Sequence, residues 1–276
     1  MISFPNAKIN LGLNVVEKRT DGFHNLETIF LPISINDALE IITVKEKGAT
    51  LEFTYSGLPI MGNTNENLCV RAYYLLQQDF KLPAIKMHLH KSIPMGAGLG
   101  GGSADGAFTL KLLNTIFELK LTEQHLLDYA LQLGSDCPFF IKNKPCFATS
   151  RGEILEEVTI NLFAYEIVLI NPNIHISTTK AFSKITPLHP QKSIKTISQQ
   201  PITTWKKELI NDFEKNLAND YLLIEHIKNV LFHNGAVYAS MTGTGSTVFG
   251  LFKNVTEKPV FNFPKEYQIF WTKIIA

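Results

Sequence analysis

Apolar and polar residues alternate from Ala7 to Val15, a period of two that predicts a β-strand. Ala7, Ile9, Leu11, Leu13 and Val15 fall on one face, and Lys8, Asn10, Gly12 and Asn14 on the other. Taken alone, the second face is either solvated or the floor of a polar site in which Gly12 makes room. Asp21-Gly22 then signals a turn, with Phe23 and His24 just past it, before Leu26, Ile29, Phe30 and Leu31 resume an apolar pattern. Residues 38–46 and 49–56 read as strands, and a helix follows for which Asn65 or Asn67 is the cap; by spacing alone Asn67 is structural. Ile85, Met87 and Leu89 alternate with Lys86, His88 and His90, predicting another strand. Phe108, Leu112, Leu113, Ile116 and Phe117 then recur at helical spacing, with Ser103 or Asp105 as the cap, and a further helix runs over 122–134. Asp136 precedes Cys137-Pro138, where it either caps a helix or presents a carboxylate as a base. In the second half, residues 165–173 read as a strand, the polar stretch near 189–201 as a mobile loop, 219–232 as a helix and 236–241 as a strand. That last strand leads into Thr242-Gly243-Thr244-Gly245, either a plain hairpin connection or a backbone nest for an anion. A domain boundary is expected near residue 155.

Between the strand ending at Lys91 and the helix beyond it lie residues 94–107, which hold six of the chain's 17 glycines. Glycines at a strand-to-helix junction let the backbone turn tightly and aim N–H groups at a ligand, while the helix start adds partial positive charge. The junction suits polyphosphate. It is not a Walker A loop, because the nearest downstream lysine is Lys111, well inside the helix. It lacks the valine and following lysine strand of a protein-kinase loop. Gly96, Gly98 and Gly101 do spell the dinucleotide fingerprint, but that motif opens a chain's first βαβ unit, and several strand patterns come earlier here.

The 276 residues, 45% hydrophobic and 18% charged, have room for one large or two ordinary domains. A net charge of +1 provides no basic field for nucleic acid or an acidic membrane, which favours a small substrate held locally. Cys69, Cys137 and Cys146 are odd in number and lack metal-type spacing, so they read as free thiols of a cytoplasmic protein. His88 and His90 share a strand face, yet no third metal ligand is in evidence. No export signal or membrane span is indicated.

The segments PNAKINLGL, DGFHNLETIF, ENLCVRA, PMGAGLGGGSADGA, LGSDCPFF, GEIL and MTGTGS together resemble the GHMP kinase superfamily in order and approximate spacing. Within it they are similar to the branch that phosphorylates a cytidine-diphosphate-linked polyol on the way to isoprenoid precursors. The resemblance implies a two-domain α+β fold, with an N-terminal half like ribosomal protein S5 domain 2 (1–155, ATP-binding) and a C-terminal ferredoxin-like α/β-plait half (156–276), the active site lying in the cleft between them. It implies Lys8 and Asp136 as the catalytic pair, Asp136 taking the hydroxyl proton and Lys8 orienting the acceptor. Pro94, Met95, Gly96, Ala97, Gly98, Leu99, Gly100, Gly101, Gly102 and Ser103 would hold ATP, with Lys91 and Asn67 nearby and Mg²⁺ accompanying the nucleotide through ligands the sequence does not assign. Asn10, Phe23, His24, Thr178, Phe182, Gly243 and Gly245 would bind the cytidylyl substrate: His24 at the cytosine edge, Phe23 and Phe182 stacked on its faces. A monomer or homodimer is expected.

Three positions depart from the family pattern. Phe23 stands where tyrosine is frequent, Ala104 where a second serine is common, and Ser150-Arg151 replaces a more glycine-rich turn before Gly152. A kinase of the same superfamily acting on mevalonate or homoserine would share the glycine loop without the Phe23 and His24 pair. A nicotinamide-dependent oxidoreductase and a non-catalytic nucleotide-binding module are the more distant alternatives.

Overall fold

The computed structural model describes residues 1–44, 51–216 and 219–275; the two strands expected over 38–46 and 49–56 therefore each lie partly outside the described residues. In chain order the strands are β1 (Ile2–Ser3), β2 (Asn6–Lys18), β3 (His24–Asn36), β4 (Ala38–Thr43), β5 (Leu51–Gly57), β6 (Ile85–Lys91), β7 (Cys146–Thr149), β8 (Ile154–Glu157), β9 (Tyr165–Asn171), β10 (Tyr238–Met241), β11 (Val248–Lys253) and β12 (Gln268–Thr272). The α-helices are α1 (Leu68–Asp79), α2 (Gly101–Ile116), α3 (Glu123–Leu133), α4 (Cys137–Lys142), α5 (Thr178–Ser183), α6 (Ile194–Ser198), α7 (Ile202–Glu208) and α8 (Asn219–His233).

Two compact units share the chain. The first comprises Met1–Ala7, Ile35–Met95 and Gly100–Asn143; the second comprises Lys8–Ser34, Gly96–Leu99 and Lys144–Ala276. Residue 155, where a boundary is expected from sequence, falls in β8 inside the second unit.

The first unit carries a sheet in the order β1-β4-β6-β5. Strands β4 and β6 pair antiparallel, Leu39 opposite Leu89 and Ile41 opposite Met87, whereas β5 runs parallel to β6. A parallel pair requires a crossover, which α1 supplies between the two strands. Leu39, Ile41, Ile85, Met87 and Leu89 are buried, as the alternating pattern predicts. Helix α1 buries Cys69, Val70, Ala72, Tyr73 and Leu76 and packs on α2, which also meets α3 and α4. Helix α3 is capped at Thr122 and closes at Gly134, matching its sequence signals.

The second unit carries the sheets β2-β3-β7-β8 and β10-β11-β9-β12. Its core gathers Leu13 and Val15 of β2, Val168 and Ile170 of β9, Ile224, Ile227 and Leu231 of α8, and Met241 and Val248 of the β10–β11 hairpin. Strand β2 is buried on both faces: Lys8, Asn10 and Asn14 are 3, 2 and 7% exposed, so the solvated alternative for its polar face does not hold. Gly12 does not open a polar site either, since a Cβ there would meet Leu209 and Ile194.

The polar stretch near 189–201 is not an irregular loop throughout. Ser193 caps the short helix α6, and Ile194 and Ile197, one turn apart, are buried. Two apolar anchors among lysines and glutamines carry too weak a period to be read in advance.

Candidate active site

Strand β2 brings Lys8 and Asn10 into the interior of the second unit, where a polar group must find partners. The Lys8 ammonium donates to Asn10 Oδ1 at 2.6 Å and to the Gly98 carbonyl at 3.2 Å, and lies 5.0 Å from the centre of the Phe30 ring. Asn10 Nδ2 donates to the Thr28 hydroxyl at 2.9 Å, which donates onward to the Gly12 carbonyl. The Thr242 hydroxyl accepts the Asn10 backbone N–H and sits 3.1 Å from Asn10 Oδ1 and 3.0 Å from the Gly98 carbonyl. The Lys8 backbone N–H completes the join by donating to the Leu99 carbonyl at 2.9 Å. Three distant stretches thus meet in one buried network: the β2 strand, the glycine loop and the turn after β10.

That turn is tightened by Asn211, whose Nδ2 donates to the carbonyls of Met241 and Gly243 at 2.9 and 2.8 Å. Gly243 in turn lies against Gly98 and Asn10. Gly245 backs onto Met241 and Ile176, so it shapes the turn through packing. Thr28, Thr242 and Asn211 were not among the expected site residues. Thr28 and Thr242 lie inside DGFHNLETIF and MTGTGS, two of the segments that carry the resemblance, but nothing in the sequence marks Asn211.

The loop itself is bent as its glycines suggest. Gly98 has φ +78°, and a Cβ there would stand 2.1 Å from the Thr242 carbonyl oxygen, a backbone atom that has no rotamer with which to yield. Gly98→Ala should therefore cost about 1–3 kcal/mol in denaturant unfolding. A Cβ at Gly102 meets nothing within 4 Å, so Gly102→Ala should leave stability unchanged or raise it by up to about 1 kcal/mol. Helix α2 begins at Gly101, with Gly100 in the left-handed region at the cap position and no side-chain cap. Neither Ser103 nor Asp105 caps it; both lie inside the helix, leaving the first-turn N–H groups as an anion-facing end of a long helix. Pro94 is buried and Met95 is 43% exposed at the loop's entry; Ala97 and Leu99 tuck their side chains into the interior.

In the first unit, Lys91 is almost wholly buried and its ammonium is held by Asp37 and, at 2.9 Å, by Asp105. Asp37 Oδ1 also accepts the backbone N–H groups of Ser92 and Ile93, fixing the end of β6 where the loop departs. A Cβ on Gly101 would come within 3.1 Å of Lys91 Nζ, so the ammonium lies directly under the first residue of α2. Asn67 caps α1 by accepting the Cys69 N–H at 2.9 Å, which is the structural role its spacing suggests. Asp136 occupies the cap position of α4 without making the side-chain cap bond, and it is half-buried. Its neighbour Cys137 is buried, which pushes the thiol up to about 12 against the pull of a hydrogen bond from Ser103 of α2. Asp136 is therefore one residue from a side chain that touches the glycine helix.

In the second unit, His24 stacks on Phe182, with ring centres 5.1 Å apart and planes inclined by 27°. Phe182 also meets Phe213 edge to face. Burial, and secondarily the charge of Lys18, hold the His24 imidazole below its usual range, which keeps it neutral at pH 7 with one donor and one acceptor nitrogen. The Thr178 hydroxyl lies 3.4 Å from that of Thr244 in the late turn. Phe23 is 52% exposed beyond the β2–β3 turn. Among the described residues no group of three or more His, Cys, Asp or Glu could hold a metal, and no helix is long and apolar enough to cross a membrane.

This arrangement has counterparts among known proteins. The family model described as GHMP kinases N terminal domain matches residues 67–144. A 4-diphosphocytidyl-2-C-methyl-D-erythritol kinase from Bacteroides fragilis is 53% identical, covering 91% of this chain and 92% of its own length. The chain belongs to the 4-diphosphocytidyl-2-C-methyl-D-erythritol kinase family. A second member of this kinase family, from Azobacteroides pseudotrichonymphae, is 47% identical over 95% of this chain and 98% of its own. A crystal structure of 4-(cytidine 5'-diphospho)-2C-methyl-D-erythritol kinase superposes with a TM-score of 0.78 at 28% identity, covering 91% of this chain and 90% of that one. The family has the α+β GHMP kinase fold, an ATP-dependent phosphotransferase architecture, and this chain shares it.

Proposed function

We propose that the chain transfers the γ-phosphoryl group of ATP to the 2-hydroxyl of 4-diphosphocytidyl-2-C-methyl-D-erythritol. The observation that carries this reading is the Lys8 ammonium, buried and bonded to the carbonyl of Gly98 in the glycine loop, because it puts a fixed positive charge at the loop that suits polyphosphate. Phosphoryl transfer depends chiefly on positioning and on screening of charge, which a lysine locked by Asn10 supplies without reorganisation. Lys8 orients the acceptor and stabilises the transferring group, and Asp136 takes the hydroxyl proton. The uncapped first turn of α2 and the loop before it hold the ATP phosphates. Magnesium, when bound, neutralises charge on those phosphates. Magnesium usually keeps several waters and phosphate oxygens and needs no all-protein cage. Neutral His24 reads the cytosine edge.

A coupled assay of ADP release tests the reading. Turnover with the cytidylyl alcohol and none with mevalonate or homoserine is the expected result; faster turnover of either rival would overturn it. Quenching of protein fluorescence by NADH at micromolar concentration would favour the oxidoreductase alternative instead.

A further inference from the structure

The turns at one end of the β2-β3-β7-β8 sheet are tied together by two arginines. Arg19 donates to Asp21, to Asn25 Oδ1 at 3.2 Å and to the Ser150 hydroxyl at 3.0 Å, which links the β2–β3 turn to the β7–β8 turn. The Leu26 N–H reinforces that link by donating to the Ser150 carbonyl at 2.8 Å. Glu153 then fixes the second turn from within: Oε2 accepts the Arg151 backbone N–H at 2.7 Å, and Oε1 accepts the Ser150 hydroxyl at 3.1 Å and Arg151 Nε at 3.4 Å. Burial pushes the Glu153 carboxyl up, but these hydrogen bonds and the Arg151 charge outweigh it, so the group stays ionised and the arginine stays paired. The outcome is a guanidinium held 5.0 Å over the centre of the Phe23 ring.

Of the two rings expected to sandwich the base, Phe182 is already engaged by His24 on its face and by Phe213 at its edge. Phe23 is the exposed ring of the pair, and Arg151 covers one of its faces. We propose that Arg151 is a positioning residue for pyrimidine recognition, locking the Phe23 ring by a cation–π contact so that its opposite face is presented to cytosine. This rests on the cytidylyl-substrate reading and gives Arg151, in the turn where this chain departs from the glycine-rich pattern, a task. The contact also holds a ring that has no phenolic hydroxyl with which to anchor itself.

The test is steady-state kinetics of the full chain with titration of CDP as a direct probe. Arg151→Gln should raise the KM for the cytidylyl alcohol and the Kd for CDP by about 2- to 5-fold, the size of an exposed cation–π contact, with kcat and the KM for ATP unchanged. Arg151→Lys, which keeps the cation, should recover most of the loss, and Arg151→Gln should add nothing in a Phe23→Leu background. An unchanged KM in Arg151→Gln, or an equal effect with Phe23 already replaced, overturns the inference while wild-type turnover leaves the substrate reading standing. Failure of wild-type protein to bind CDP would overturn the substrate reading and the inference with it.

Discussion

Asp136→Asn should lower turnover by about 10²–10⁴-fold, the usual contribution of a positioned general base, while ATP affinity stays at the wild-type level. The substitution keeps the shape of the side chain and removes its ability to take a proton. Asp136 sits at the cap position of α4 but makes no side-chain cap bond, and the helix start is carried by buried Cys137 and by Pro138. Lys8→Met is a poorer probe of chemistry, because it also takes the ammonium donor from Asn10 Oδ1 and the Gly98 carbonyl and leaves the single Thr242 hydroxyl proton to serve both. Single-turnover rates and calorimetric ATP titration check the prediction for Asp136→Asn. A rate near that of the wild type would remove Asp136 from the mechanism.

Lys91→Met should destabilise the protein by about 3–5 kcal/mol in urea unfolding, because it leaves the buried Asp37 carboxylate without its cation and the Asp105 carboxyl without its hydrogen-bond donor. That is a large share of the about 5–15 kcal/mol a domain typically has. Adding Asp105→Leu should restore part of it, since Asp37 keeps the N–H groups of Ser92 and Ile93. One lysine serves two carboxylates here, and Asp105 Oδ1 has no hydrogen-bond partner. Burial, with the Asp37 charge adding and Lys91 opposing, raises the Asp105 carboxyl to about 8. The native state then holds that proton more tightly than the unfolded chain, so its stabilising contribution is full below about pH 4 and is lost as the pH rises through 8. The raised Lys91 titrates above this window. Asp105→Asn should flatten the stability profile between pH 4 and 8; a profile as steep as that of the wild type would count against the raised Asp105 carboxyl.

Short-range signals were legible where the physics is local. The glycine-rich junction, the Thr122 cap with its Gly134 stop and the Asn67 cap are each written in consecutive residues and fold as written. Asp105 shows where this fails. As an acidic residue near a helix start it reads as a cap, but its partners lie elsewhere, Lys91 at the end of β6 and Asp37 between β3 and β4, and the helix begins four residues earlier. Lys8 and Asn10 look like one side of an amphipathic strand because the chain cannot announce that the Gly98 carbonyl will receive the lysine and that Thr28 and Thr242 will meet the amide. Arg151 was visible only as a departure from a pattern; its purpose needed the Phe23 ring beside it.

The bond between Asn10 and Thr242 spans 232 positions. At about 5–20 residues per second of synthesis, the strand bearing Lys8 waits roughly 12–46 s after leaving the ribosome before its last partner exists. Until then the Asn10 backbone N–H and carboxamide lack that partner on a segment destined for the dry interior. The join between this strand and the late turn is thus among the final things the nascent chain acquires, and a transcript truncated before codon 242 yields a polypeptide whose Asn10 lacks its Thr242 partner.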